Sequence, residues 1–419
     1  MRLPLADFSA IRRAFANRNY AVYAAGNSVS LIGFWVQRVA VGWLAWDLTK
    51  SGLWLGAVAF ADLAPAVVIG PWAGALADRI ERRRILLICQ SLLAAQAGVL
   101  SVLTVLGLMT VELLFALTLL QGVVIAFNQP ARLSLVPDLV RGAELSTALA
   151  IGSVIFNLAR FIGPAVAGMV ISWFGVAPAF AVNAFSYVAM IAALVSLRLP
   201  LRVAPPRPAR GVAAEVGEGV RYAFTHPAIG PLLLLVLGTS LLARPVFELL
   251  PGFAESVFGR GPGGLAVLTA AVGFGAIGAG AWLAQRGRLA GLTGIVLAAV
   301  TAAGALVTLF AVTGVFWLAT AAMAMAGFAL SVFGIGTQTL IQSAVAGHMR
   351  GRVMSLWGLI FRGGPALGAL AMGWLSGYFG LGWPLAVGGA LSAGAGFLAW
   401  SRRATLASRF ETAEPPGPG

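Results

Sequence analysis

Six charged side chains stand inside long apolar runs: Arg38, Arg160, Arg244 and Arg362 against Asp62 and Glu248. Charges in hydrocarbon are expensive and normally face a wet cavity or one another, so these six are the first places to look for chemistry. A buried acid can carry a proton, which makes Asp62 and Glu248 the proton-coupling candidates. Arg38, Arg160 and Arg362, with the amides Asn128, Gln129, Asn157, Gln338 and Gln342, are the substrate-binding candidates, and four arginines against two acids favour anionic or phenolate-rich ligands. At about 1.5 Å per residue Arg38 and Asp62 both lie roughly 13–15 Å below the same surface. A fixed structural ion pair and a functional one, in which a ligand on Arg38 frees Asp62 for a proton, stand level. Arg244 and Glu248 are one helical turn apart across Pro245, where a local pair in a kinked helix competes with a gating role.

These groups need helices to hold them. Apolar stretches of about 20 residues predict spans over 19–47, 52–77, 84–107, 112–134, 145–173, 178–197, 228–257, 263–285, 291–312, 314–341, 351–377 and 382–401. Threaded so, 22 of the 28 Lys and Arg fall on one side, while the opposite loops hold only Lys50 and Arg260, so both termini are expected in the cytoplasm. The organisation is a lead-in at 1–18, a bundle at 19–197, a linker at 198–227, a second bundle at 228–401 and a tail at 402–419. The linker carries Pro200, Pro205, Pro206 and Pro208; within it Val212, Val216, Val220 and Phe224 at i+4 spacing suit either an amphipathic surface helix or a plain connector. Phe161-Ile162-Gly163-Pro164-Ala165 recurs as Gly363-Gly364-Pro365-Ala366, with Arg160 and Arg362 before them, and two parallel repeats with a binding site between them are a known transporter plan. Helices 9 and 12 lack charged or amide side chains and helices 3 and 6 carry few, so these four are expected to face lipid.

Composition narrows the class. The chain is 59% hydrophobic and 10% charged, with mean hydropathy +0.92, far from soluble averages. Its net charge of +14 belongs to arginines beside helix ends, where anionic headgroups attract them, and not to a nucleic-acid interface. The lone Cys89 excludes an intramolecular disulfide. His226 and His348 sit at helix ends, where capping suits them better than metal binding. A membrane enzyme would need clustered His, Cys or carboxylates at one depth, and ATP use would need a phosphate-binding loop; the sequence has neither. No cofactor or metal is expected.

The loop Gly74-Ala75-Leu76-Ala77-Asp78-Arg79-Ile80-Glu81-Arg82-Arg83-Arg84 resembles the Gly-x-x-x-Asp-Arg-x-Gly-Arg-Arg signature of the major facilitator superfamily. Further segments are similar to its branch of enterobactin exporters and macrolide efflux pumps. These are Leu48-Thr49-Lys50-Ser51-Gly52, Gln121-Gly122 with Asn128-Gln129-Pro130-Ala131-Arg132, Val136-Pro137-Asp138-Leu139-Val140, Glu218-Gly219-Val220-Arg221-Tyr222 with His226-Pro227, and Arg350-Gly351-Arg352-Val353-Met354. The resemblance implies an all-α polytopic membrane protein of twelve transmembrane helices in two six-helix pseudo-repeats, the major facilitator fold. It implies a gate in which Gly74 permits close packing against helix 11 and Asp78, shared with Arg79, Arg82 and Arg83, latches one side; the gating role weighed for Arg244, near Pro251 and the outer loop, would serve the other. Thr118 replaces an arginine that many proton-coupled members carry, and the second half's copy of the signature, Gly280 to Arg286, has lost its acid. The implied activity is secondary active, proton-coupled export of a mid-sized amphipathic compound, siderophore-like or drug, by alternating access in the bacterial inner membrane. Its partners are that substrate, protons and membrane lipids, and a monomer is expected. A lysophospholipid or other lipid transporter is the alternative.

Overall fold

The computed structural model describes residues 8–77, 80–140, 142–198 and 212–411. Among them no strand occurs, and twelve helical segments are long and apolar enough to cross a membrane. Two compact units emerge, one of Met1–Leu44 and Val68–Pro208, the other of Ala45–Val67 and Ala209–Gly419.

The first unit contains α1 (Phe8–Ala16), most of α2 (Arg18–Thr49), the end of α3 (Gly52–Ala77), α4 (Arg82–Val105), α5 (Val111–Leu139), α6 (Leu145–Phe174) and α7 (Val176–Ser196). Its core packs Tyr20, Leu86, Leu135, Met190 and Leu194, and the Tyr20 hydroxyl donates to Ala148 O at 3.0 Å. Thr110 accepts from the Leu113 amide and starts α5, as an N-cap threonine does. The sequence stops this span at 134, yet α5 runs through Pro130 and Pro137 to Leu139. Its terminal carbonyl, Leu139 O, accepts from Asn17 Nδ2 at 2.7 Å, which caps the helix end beyond both prolines.

The second unit contains α8 (Val212–Thr225), α9 (Ile229–Leu242), α10 (Val246–Gly252), α11 (Gly261–Arg286), α12 (Leu292–Val312), α13 (Phe316–Ala344), α14 (Arg350–Phe379), α15 (Gly382–Trp400) and α16 (Arg403–Phe410). The expected seventh span, 228–257, is not one helix. Pro245 has no N–H to donate, and the Arg244 amide reaches back to Thr239 O at 3.1 Å, so α9 stops at Leu242 and α10 restarts beyond the proline before a π-helical turn at Phe253–Val257. Small residues close this unit's seams, because without water to expel, helices in lipid associate through close packing. A Cβ at Gly56 would strike the Ala369 backbone and one at Gly373 the Gly52 backbone, which ties the start of α3 to α14 and explains why residues 45–67 group here.

The internal repeat is visible in the helix punctuation. A 3₁₀ turn precedes α6 (Gly142–Glu144) and α14 (Gly347–Met349); each helix is 30 residues long. Each ends at a glycine of positive φ, Gly175 at 85° and Gly380 at 74°, a backbone conformation that glycine alone adopts freely.

The linker element forms α8, docked through the small residues Gly219 and Ala223, both buried, while Phe224 is exposed. Placed over Arg352, a Cβ on Gly219 would be 3.2 Å from that residue's own Cβ. Glu218 pairs with the same arginine at 2.8 Å.

Candidate functional site

In the first unit the positioning device is an amide network. Gln37 Nε2 donates to Gln96 Oε1 at 3.1 Å and to Gln121 Oε1, and Gln37 Oε1 accepts from Asn183 Nδ2 at 2.8 Å. Gln96 Nε2 donates onward to Leu117 O at 3.1 Å. All four amides are buried. A side chain held by α4, α5 and α7 together fixes the rotation of α2 about its own axis. Trp35 and Arg38, at i and i+3, share another side of that helix. Opposite them α6 presents Phe156 and Arg160 at i and i+4. Gly163 makes the approach possible, since a Cβ there would collide with that of Trp35.

The result is one indole between two guanidiniums. Arg38 and Arg160 each place Cζ 5.7 Å from the Trp35 ring centroid, and Phe156 meets the same ring edge-on at 6.0 Å. Trp35 Nε1 is buried and has no acceptor among the described residues. Two cations, an aromatic surface and an unused N–H donor form a set suited to a planar anion. Asn157, on the same helix, returns Nδ2 to Ser153 O at 2.8 Å. Asn128 is buried with Nδ2 unmatched, and Gln129 is half-buried.

The second unit treats its arginines differently. Arg244 Nη1 donates to Phe361 O at 2.8 Å and its guanidinium lies 3.8 Å from the Phe361 centroid. Phe361 stacks on Trp357 at 4.7 Å and 16°, and Trp357 Nε1 donates to Thr337 Oγ1 at 3.4 Å. The clasp therefore ties the break after α9 to α14 and α13. Arg362 is exposed, Gln338 half-buried and Gln342 exposed. Although sequence places Arg160 and Arg362 as equivalents, Arg362 stands about one turn nearer the start of its helix, and Arg244 is the cation that meets the aromatic of α14. Asp62 on α3 and Glu248 on α10 are both half-buried; Asp62 falls in the second unit and Arg38 in the first.

Of the latch residues, Gly74 is helical in α3, and Asp78 and Arg79 lie outside the described residues. Arg82 forms a 2.6 Å ion pair with Asp138, joining the start of α4 to the end of α5. Arg83 Nη2 donates to Val195 O at 2.7 Å.

Three contributors escape a reading by local pattern. Gln96 and Asn183 sit on the helices expected to face lipid; those helices do expose Ile88, Leu92, Phe185 and Val188, but α4 turns Gln90 and Gln96 inward and α7 turns Asn183 inward. Asp138 was visible in its motif without a partner. The signal that could have found the amides is that such a group midway along an apolar span needs a partner.

Comparison with known proteins agrees with this architecture. The family model described as "Transmembrane secretion effector" matches residues 12–412. The multidrug efflux pump Tap of Mycolicibacterium fortuitum is 27% identical over 366 residues, 85% of this chain and 87% of that protein. The enterobactin exporter EntS of Salmonella choleraesuis is 28% identical over 307 residues, 72% of each. The staphyloferrin A transporter of Staphylococcus aureus is 30% identical over 173 residues, 41% of this chain and only 43% of that protein's length. Among solved structures, a peptide transporter POT mutant in complex with sulfate superposes with TM-score 0.75 over 94% of this chain and 96% of that one, at 13% identity. The nucleoside transporter NupG superposes with TM-score 0.70 over 93% of this chain and 98% of that one, at 14% identity. The chain belongs to the transmembrane secretion effector family of major facilitator membrane transporters.

Proposed function

We propose that this protein is a proton-coupled exporter of a mid-sized amphipathic anion, siderophore-like or drug-like, working as a monomer by alternating access of two six-helix halves. It resides in the bacterial inner membrane with both termini in the cytoplasm, the orientation that its arginine distribution favours. The observation that carries the reading is the Arg38–Trp35–Arg160 arrangement within membrane-spanning helices. A carboxylate or phenolate gains two charge-assisted hydrogen bonds there, and its ring gains the indole and Phe156 surfaces. Relatives named an enterobactin exporter and a multidrug efflux pump support an export reading.

Asp62 and Glu248 are the proton carriers in this scheme, being half-buried acids within membrane-spanning segments, where ionisable side chains are commonly functional. Arg38, Asn128, Gln129, Asn157, Arg160, Gln338, Gln342 and Arg362 line the route. Gly74, Asp78, Arg79, Arg82 and Arg83 act at the cytoplasmic gate, and Arg244 at the other.

Proteoliposomes with an imposed pH gradient test the reading. Uptake of an aromatic carboxylate into vesicles holding inside-out protein is expected to follow the gradient, to collapse in Asp62→Asn, and to fall about tenfold or more in Arg160→Gln, the loss of one charge-assisted contact. Gradient-independent uptake, or an unaffected Asp62→Asn variant, contradicts it.

A further inference from the structure

We propose that a groove between α11, α12 and α13 of the second unit is a binding site for one anionic phospholipid, independent of the substrate route. The groove encloses about 410 Å³. Leu283, Leu292 and Ile335 give it apolar walls, and Arg286 and Arg288 stand at one end. Gly280 keeps it open: a Cβ built there meets nothing within 4 Å. Ile335 and Leu289 are exposed at 43% and 38%, so the groove opens sideways on the lipid-facing surface of the unit.

Its basic end is fixed by the backbone. Gly287 and Gly291, with φ of 58° and 74°, bracket the connection between α11 and α12. The Arg286 guanidinium donates to Ala290 O, and its Nε is buried without an acceptor among the described residues. One acid stands nearby, Glu411. Its carboxylate is taken by the Gly291 amide at 2.5 Å and the Thr293 amide at 2.8 Å, so it offsets only one of the two arginine charges.

A second observation sets the level of this end. A Cβ at Gly294, the next turn of α12, would lie 4.0 Å from the Trp400 ring, and Arg403 lies 4.8 Å over that ring. Tryptophan with a stacked cation marks the headgroup zone. Arginines at headgroup level above an apolar groove match a lipid phosphate with its acyl chain lying along Leu283 and Ile335, the arrangement by which basic pockets between spanning helices hold anionic lipids. A free phosphate would leave the apolar walls uncovered.

The test is native mass spectrometry of the full chain in detergent with added phosphatidylglycerol, phosphatidylcholine or inorganic phosphate. One retained phosphatidylglycerol is expected, preferred over phosphatidylcholine by about fivefold for each arginine (about 1 kcal/mol). Arg288→Gln, an exposed position, should lose about one such factor, and Gly280→Leu should abolish retention by filling the groove with both arginines intact. Arg350→Gln, a basic residue outside the groove, should change nothing. Equal retention of both lipids, retention of phosphate alone, or unchanged phosphatidylglycerol binding in Arg288→Gln and Gly280→Leu overturns the proposal. These readouts require no transport, so they stand apart from the exporter reading.

Discussion

The interiors of the two units are held together by opposite means. In the first, Gln37, Gln96, Gln121 and Asn183 join four helices by side-chain hydrogen bonds. In the second, the largest buried side chains are apolar, with Phe310, Phe333, Leu340 and Phe410 fully buried or nearly so, and the helices meet at close range through glycine, as at Gly275 against Ala324, Gly327 against Val272 and Gly304 with Gly389. Hydrogen bonds specify one rotation of each helix, whereas a glycine seam specifies distance and permits sliding. The unit that presents two guanidiniums to one indole is the one whose helices are rotationally fixed. The second unit breaks its seventh helix at Pro245 and holds the break by clasping Arg244 to Phe361.

Breaking the glycine seam should have the largest effect. Gly275→Leu drives a side chain into the Ala324 backbone and should lower stability by about 3 kcal/mol, read as loss of monodisperse protein or as chemical denaturation in micelles. Gln37→Leu should follow at about 2 kcal/mol, because it orphans Gln96, Gln121 and Asn183 together. Replacing all four amides by Leu or Met should recover most of that loss, while an equal loss in single and quadruple variants would mean the network does not act as a unit. No such penalty is expected from Ser392→Ala, since that buried hydroxyl has no partner among the described residues.

Smaller again is the tail. Phe410 is buried in the second unit's core, and Glu411 caps α12. Burial alone would raise the Glu411 carboxyl, but the Gly291 and Thr293 amides and the Arg286 guanidinium hold it below its ordinary value. A lowered folded value means that its stabilisation is complete above the unfolded carboxyl pKa of about 4.3 and is lost as pH falls through the folded value. Glu411→Gln should therefore weaken the clasp by about 1 kcal/mol at neutral pH, with a smaller difference from wild type in acid; hydrogen exchange of α16 reads both. Burial and Arg409 likewise lower His226, whose Nδ1 accepts from the Ala228 amide at 3.3 Å, so acid loosens that cap as well. The smallest change is Arg82→Gln, about 0.5 kcal/mol for a partly exposed pair.

The sequence was most legible where the signal is local. Apolar length marked twelve spans. What stayed hidden is pairing between helices. Gln96 midway along α4 says that some side of that helix turns inward, but not that Gln37 awaits it, because periodicity fixes a helix's faces and not its neighbours. For the same reason Asp138 did not announce Arg82, and Arg362 seemed to mirror Arg160 until the one-turn offset within their helices was seen. The break after Leu242 was half visible: Pro245 predicts a bend, while the restart as α10 with a π turn depends on where Arg244 finds its carbonyl.

The most direct test of the central claim, that the two guanidiniums around Trp35 select an anion, is calorimetric binding of an aromatic carboxylate and its methyl ester to wild type, Arg38→Gln, Arg160→Gln and the double variant. The carboxylate should bind at least about tenfold more tightly than the ester in wild type, each single variant should shrink that ratio, and the double variant should erase it. A ratio that stays constant across all four proteins contradicts the account.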